Sequence, residues 1–440
     1  MTPAARIQSV LEILERIEKS PIPMDLTIGD YMRNRRYIGS KDRSAIVEKT
    51  YDIMRHHARI HWVLGELGVG SPSPRLRLLT SLVMNEGLDK TVLLCDGSRH
   101  APAPVVQEER EILERLPRDF SAAPVEVLCE CPPNYAPSLL AYFGHDFPYE
   151  LSAMIPPAQL NLRVNLAIGD VDKAASLLAE DHVATVRNRY SPWGLKVEGK
   201  AFLSLTRAFK KGLIEIQDEG SQLIALCCGA RAGQQVLDYC AGAGGKTLAL
   251  ASAMLGDDMR PKGRIVAMDL EPARLAKAKD RCRRARISDI VELRPLSDEK
   301  NRKWLRRQKE SFDCVLVDVP CSGTGTWRRN PDMRWRTYGP GIEELTSIQA
   351  EILEKVAGAV KQGGRLVYAT CSLLPEENED QIERFLARHP EFILKNLESI
   401  WPETLEVPCE GSYLRLTPRR HQSDGFFAAV MERSHSASGA

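Results

Sequence analysis

"QQVLDYCAGAGGKTLALASAML", residues 234–255, reads as an apolar strand ending near Asp238, a turn holding Gly242, Gly244 and Gly245, and an apolar helix that opens at Lys246. Glycines after a strand let the backbone approach a ligand closely, and the helix that follows points its free N–H groups at the same place. Outward from this stretch the same alternation continues. "GRIVAMDL", "DIVELRP", "FDCVLVDVP", "GGRLVYATC" and "DGFFAAVMER" are short apolar runs separated by amphipathic segments. Buried parallel strands alternating with helices predict a doubly wound α/β sheet over residues 220–433, with ligands at the carboxyl ends of the strands.

The glycine loop narrows the ligand. "GGKT" imitates the end of a phosphate-binding loop, but that loop needs glycine five residues before Gly245, where Cys240 stands. The dinucleotide pattern GxGxxG fails for want of its third glycine, which argues against a nicotinamide oxidoreductase. What remains is the looser glycine-rich loop of S-adenosylmethionine-dependent methyltransferases. The next strand ends in Asp269, placed to take the two hydroxyls of a ribose.

Two further strands end in thiols, Cys321 in "DVPCSG" and Cys371 in "ATCS", with Asp318 three residues before the first. Carbon 5 of a pyrimidine is a poor nucleophile, and a thiolate adding to carbon 6 makes it an enamine-like carbon able to attack a sulfonium methyl. An acid at ring nitrogen 3 supports the electron flow, and a second group must help strip the carbon 5 hydrogen so that the thiol can leave. Neighbouring strands lie about 4.8 Å apart, so the two strand ends can supply thiol, acid and release group to one pocket.

Outside the core the chain changes character. Ile7, Val10, Leu11, Leu14 and Ile17 form a helical stripe, and Val47, Tyr51, Met54, Ala58 and Trp62 a second. Residues 117–137 hold five prolines in 21 positions and read as a linker, assigned to 126–154. Residues 155–219 alternate strands and helices as a small α+β subdomain, one helix capped by Asp170. The tail 434–440 is expected to fray. His57 and His61 lie at i and i+4 with no third ligand in sight, so no metal is expected.

The 440 residues are 43% hydrophobic with net charge +1, enough for two or three cored domains. Eleven cysteines lack zinc spacing, which suits a reduced, cytoplasmic chain, here expected to be a monomer. There is no apolar run of about 18 residues, so no membrane span is expected. Basic clusters occur in "YMRNRRYIGSKDR", "RLAKAKDRCRRARI", "KNRKWLRRQK" and "TWRRNPDMRWR". The last mixes two tryptophans with four arginines, a composition suited to RNA, and Arg328, Arg329 and Arg334 are its candidate RNA ligands.

"DYCAGAGGKT", "MDLEPARL", "DVPCSGTGTWRRNPDMRW", "YATCSLLPEENEDQI" and "TPRRHQSDGFF" together resemble the RNA 5-methylcytosine methyltransferases of the RsmB/Sun, or Nol1/Nop2/Sun, group over residues 155–433. The resemblance implies a class I S-adenosylmethionine-dependent core, an N-terminal helical NusB-like RNA-binding domain over 1–125 and an RRM-like subdomain over 155–219. It makes Cys371 the nucleophile, Cys321 the release group and Asp318 the ligand of the base, close to the cofactor. Cys240, Ala241, Gly242, Ala243, Gly244, Gly245, Lys246 and Asp269 would hold S-adenosyl-L-methionine. Similarity of "IGSKDRSAIVEKTYDIMR" to bacterial RsmB proteins points to small-subunit (16S) ribosomal RNA. A transfer RNA cytosine methyltransferase and a non-catalytic ribosomal assembly factor are the alternatives. Two positions depart from the pattern. Ala243 replaces a proline, and Pro295 stands near the usual third-strand aspartate, with Ser297 and Asp298 just beyond.

Overall fold

The computed structural model describes residues 1–117 and 119–435. The chain forms two compact units. One is Met1–Pro157 together with Trp327–Pro340; the other is Ala158–Thr326 and the chain from Gly341 onward.

The first unit is helical. Its first helix, Pro3–Lys19, opens with Thr2 accepting from the Ala5 amide and proline in the first turn. It buries the expected stripe, Ile7 through Ile17, against Ile46, Ile53 and Leu64. The second expected stripe does not run through. The helix Ser40–Arg55 stops at His56, which leaves helical geometry, and a new helix, His57–Glu66, begins. The break rotates the face, so Ile46, Ile53 and Ile60 are buried while Val47, Tyr51 and Trp62 are only partly so.

The proline-rich stretch is no linker. It carries helices Val125–Leu128, Ala136–Phe143 and Phe147–Ser152, with Pro124, Pro137 and Pro148 at their starts, where a missing N–H is harmless. Cys129, Cys131, Leu139 and Phe147 are buried. Glu130, also buried, accepts from the Ala58 and Arg59 amides at 2.7 and 3.3 Å and so caps the helix His57–Glu66.

The second unit holds two sheets. Strands β1 (Asn161–Val164), β2 (Thr185–Arg187), β3 (Gly194–Val197) and β4 (Ile214–Ile216) form an antiparallel sheet in the order β2-β3-β1-β4. With the helices Val171–Glu180 and Arg207–Lys210 the chain runs βαββαβ. Asp170 caps the first of these helices from the Lys173 amide, as expected. Leu162, Val164, Leu195 and Ile214 pack under the helices. On the other face the Arg163 guanidinium, 1% exposed, donates to Gln217 at 2.7 Å and to Ser252 at 2.9 Å, so the sheet backs directly onto the large domain.

The large sheet follows β5 (Gln235–Asp238), β6 (Arg264–Asp269), β7 (Val291–Pro295), β8 (Phe312–Asp318), β9 (Val360–Thr370), β10 (Phe392–Leu394), β11 (Tyr413–Leu416) and β12 (Phe426–Arg433). Its order is β10-β12-β9-β8-β5-β6-β7, with β11 on β12. Strands β5 to β9 are parallel, and β12 runs antiparallel beside β9. The order reverses between β5 and β8, which opens a crevice at their carboxyl ends. Strands β10 and β11, three and four residues long, are not among the apolar runs that the sequence singled out. Among the described residues no helix is long and apolar enough to cross a membrane. Of the expected fraying tail, Ser434 donates its amide to the Glu391 carbonyl, while 436–440 lie outside the described residues.

Candidate active site

The crevice is built from four strand ends. After β5 the chain turns through Gly242, at φ 57°, before the helix Gly245–Ala253. The positive φ is what favours glycine at 242; the Arg274 guanidinium, 2.6 Å from where a Cβ would stand, is the tip of a flexible side chain that can move aside. The Gly242 amide donates to Asp269 Oδ2 at 2.8 Å, and the Glu271 amide to Oδ1 at 2.9 Å. Asp269, at the end of β6, thus ties the glycine loop to its neighbour strand, and each oxygen keeps a further lone pair. Ala243, where the family pattern has proline, is steadied differently: its carbonyl accepts from Arg281 at 2.8 Å.

Asp238 closes β5 fully buried, with Thr247 Oγ1 donating to Oδ2 at 2.6 Å. Its Oδ1 is buried and accepts no hydrogen bond. Burial, with the nearby negative charges of Asp318 and Asp269, pushes its carboxyl up to about 7. A buried acceptor without a donor, beside a glycine cradle and a helix N-terminus, fits a ligand carrying a cationic or N–H group, as S-adenosyl-L-methionine does. Asp298, the open question at the third strand, accepts from the Lys300 amide at 2.8 Å and caps the helix Glu299–Arg306.

Strands β8 and β9 are parallel neighbours, Asp318 opposite Ala369. Their ends bring Cys321 and Cys371 together, Sγ to Sγ 3.4 Å, both partly buried. Asp318 Oδ2 accepts from Lys246 Nζ at 2.7 Å, so the lysine of the glycine loop reaches the thiol side of the crevice. Burial pulls the Lys246 ammonium toward its neutral form, but Asp318, Cys371 and Asp238 outweigh this and hold its pKa above the ordinary value. The Cys321 thiol is pushed well up by its hydrogen bond to Cys371, by burial, and by the negative charges of Cys371 and Glu377. The loop after Cys321 is pressed against "DGFF": Gly425 N donates to Gly325 O at 2.8 Å, and a Cβ on Gly325 would lie 2.1 Å from the Gly425 carbonyl oxygen. Among the described residues no group of three His, Cys, Asp or Glu side chains could hold a metal ion.

The strip "TWRRNPDMRWR" lies elsewhere than expected. From Trp327 it belongs to the helical unit. Trp327 is fully buried, and Arg334, 3% exposed, stacks over its ring at 5.0 Å and donates to the Glu130 carbonyl at 3.2 Å. Burial brings the Arg334 pKa down to about 10. Trp335 Nε1 donates to the Met54 carbonyl, Arg336 to those of Ile17 and Ser20, and Asp332 accepts from the Met24 amide. Arg328 is 6% exposed and Arg329 partly buried. The assignment of Arg328 and Arg334 to a solvent-facing RNA strip is therefore corrected: the tryptophans that suggested base stacking bury this segment as a strap. His57 stacks on His61 and on Trp335 at 3.9 and 4.6 Å, and burial holds the two histidines down at about 3 and 4.

Sequence reasoning also passed over Glu377, Asn378, Gln349 and Ser322, which surround the thiols. Glu377 and Asn378 stand in the quoted "YATCSLLPEENEDQI", but nothing in their spacing distinguishes them from the acidic start of a helix.

Comparisons with known proteins agree with this geometry. The family model described as 16S rRNA methyltransferase RsmB/F matches residues 225–432. A ribosomal RNA small subunit methyltransferase B of Photorhabdus laumondii is 27% identical over 417 residues, 90% of this chain and 92% of that protein. A probable ribosomal RNA small subunit methyltransferase B of Synechocystis is 33% identical over 298 residues, 68% of this chain and 63% of that one. Among solved structures, PH0851 superposes with TM-score 0.75 at 28% identity over 98% of this chain and 99% of its own. NSun6 from Pyrococcus horikoshii with SFG gives TM-score 0.60 at 20% identity over 69% of this chain and 99% of its own, a likeness of fold. Residues 225–432 thus match the RsmB/F family of 16S rRNA methyltransferases, and with its strand order and glycine loop the chain is a class I S-adenosyl-L-methionine-dependent methyltransferase.

Proposed function

We propose that the protein methylates carbon 5 of a cytosine in small-subunit ribosomal RNA, with Cys371 as nucleophile and Cys321 as release group. The observation that carries this reading is the 3.4 Å approach of the two sulfurs beside the Asp318–Lys246 pair. The names of the relatives supply the RNA class. S-adenosyl-L-methionine, held at the glycine loop by Asp238, Gly242 and Asp269, supplies an electrophilic methyl group.

The chain's own residues do the rest. Cys371, as its thiolate, adds its sulfur to carbon 6, and the ring π electrons move toward nitrogen 3. Asp318 faces that edge of the base, and Lys246 is the proton source behind it. Cys321 begins as a thiol because the Cys371 charge and hydrogen bond keep it so. Once Cys371 is a thioether, its hydrogen bond and charge no longer oppose ionisation of Cys321; burial and Glu377 still do, and the proton that Cys321 gives up passes to solvent. Once carbon 5 has gained the methyl group, and so carries both it and the original hydrogen, the Cys321 thiolate takes that hydrogen as a proton. The freed electron pair restores the carbon 5–carbon 6 double bond, and Cys371 leaves as thiolate.

Two variants test the division of roles. Cys371→Ala binds RNA but neither methylates it nor forms an adduct. Cys321→Ala methylates once and stays joined to its RNA, as a slow band on a denaturing gel that disappears in the double variant. Trapping by Cys371→Ala instead would reverse the roles. Mapping 5-methylcytosine across total RNA with and without the gene tests the ribosomal target, and an unchanged small-subunit map would overturn it.

A further inference from the structure

We propose that Glu377 and Asn378 are positioning residues that together set the approach of the two thiols, the first holding the loop of Cys321 and the second the loop of Cys371. The proposal rests on both thiols serving one reaction.

The Glu377 carboxylate is fully buried. Its Oε1 accepts from the Ser322 amide at 2.9 Å and from Gln349 Nε2 at 3.0 Å, and its Oε2 from Ser322 Oγ at 2.5 Å. Gln349 Nε2 also donates to the Pro320 carbonyl at 3.0 Å. The residues on both sides of Cys321 are thus tied to one carboxylate–amide pair. Asn378 does the same for Cys371. Its Nδ2 donates to the Ser372 carbonyl at 3.0 Å, and its Oδ1 accepts at 2.6 Å from Thr370 Oγ1, which in turn accepts from the Ser372 amide at 3.1 Å.

The dipeptide is itself fixed to β9, because Tyr368 Oη donates to the Glu377 carbonyl at 2.5 Å. The two loops are also cross-linked, Ser322 Oγ to Ser372 Oγ at 3.2 Å and Gly325 N to the Cys371 carbonyl at 2.9 Å. A carboxylate with no exposure is expensive unless its oxygens are filled, and charge-assisted bonds fill them here. Two adjacent residues therefore reach the flanks of both sulfurs.

Oxidation by diamide reads sulfur approach without RNA. The two thiols give up two protons and two electrons to the azo bond, which becomes a hydrazine, and peptide mass spectrometry measures the Cys321–Cys371 disulfide. Glu377→Ala should slow its formation about tenfold, the equivalent of one lost charge-assisted bond, and Asn378→Ala about fivefold, the equivalent of one lost neutral bond. Gln349→Ala, which leaves Glu377 in place, should slow it about threefold. Removing the Glu377 charge alone would speed the reaction by easing ionisation of Cys321, so slowing reports geometry. Leu386→Ala, at a partly buried position packed against the core from the helix Glu379–Arg388, controls for loss of stability.

Unchanged or faster disulfide formation in the Glu377 and Asn378 variants would overturn the proposal. With RNA and cofactor, Glu377→Ala should accumulate the covalent complex, as Cys321→Ala does, and Asn378→Ala should lose single-turnover methyl transfer. Slow disulfide formation without that split would support the clamp and overturn the thiol roles instead.

Discussion

Asp238 shows how a single residue couples folding to binding. Its carboxyl sits at about 7 because burial disfavours its charge, whereas in the unfolded chain it titrates near 4. Between those values the folded state binds more protons than the unfolded state, so stability falls as pH rises through the window. Asp238→Asn, which can still accept from Thr247, removes the titration. Melting followed from pH 5 to pH 8 in the absence of cofactor should show the native protein losing on the order of 1 kcal/mol or more relative to this variant. Parallel curves would mean that Asp238 titrates normally. Asp269 makes a different case. Its bond from the Gly242 amide holds the glycine loop, so Asp269→Ala should weaken S-adenosyl-L-methionine binding by at least about 1 kcal/mol in calorimetry, through loop order as well as lost acceptors. Unchanged affinity would remove Asp269 from the site.

At the scale of elements, the sequence was informative where one force dominates. Six runs became β5, β6, β7, β8, β9 and β12; the inner strands are apolar because both their faces are covered, while β7, at the sheet edge, is partly buried throughout and keeps Glu292 and Arg294. The thiols and Asp318 were legible because residues just past such strands face the crevice. Three things escaped. Prolines at 124, 137 and 148 start helices, and proline alone cannot say whether a helix ends or begins. The clamp of Glu377 and Asn378 consists of hydrogen bonds between segments with no common period. The strap from Trp327 to Pro340 has the composition of an RNA ligand, yet burying two large rings is worth more than leaving them in water. Trp327→Ala should therefore destabilise the helical unit by about 3–5 kcal/mol in urea unfolding. A loss below about 1 kcal/mol would return the strap to the surface.

For the whole molecule, a net charge of +1 means that RNA affinity depends on where exposed cations stand rather than on their sum. With Arg328 and Arg334 held inside the helical unit, the junction of the helices Met24–Arg33 and Ser40–Arg55 offers a better-exposed set. Arg33, Arg36 and Lys41 are exposed there, with Tyr37, 75% exposed, among them. Arg33 is partly answered by Asp30 at 3.3 Å, which leaves Arg36 and Lys41 as the test. If both meet phosphates, replacing them with glutamine removes two released counterions. The slope of log affinity against log salt should flatten by about 1.4 to 1.8, between the single-strand and duplex limits, with cofactor affinity unchanged. Arg334→Gln should do the opposite, lowering the melting temperature and leaving the slope alone, because its charge never met solvent. A flattened slope from Arg334→Gln, with none from the Arg36 and Lys41 pair, would put the RNA back on the strap.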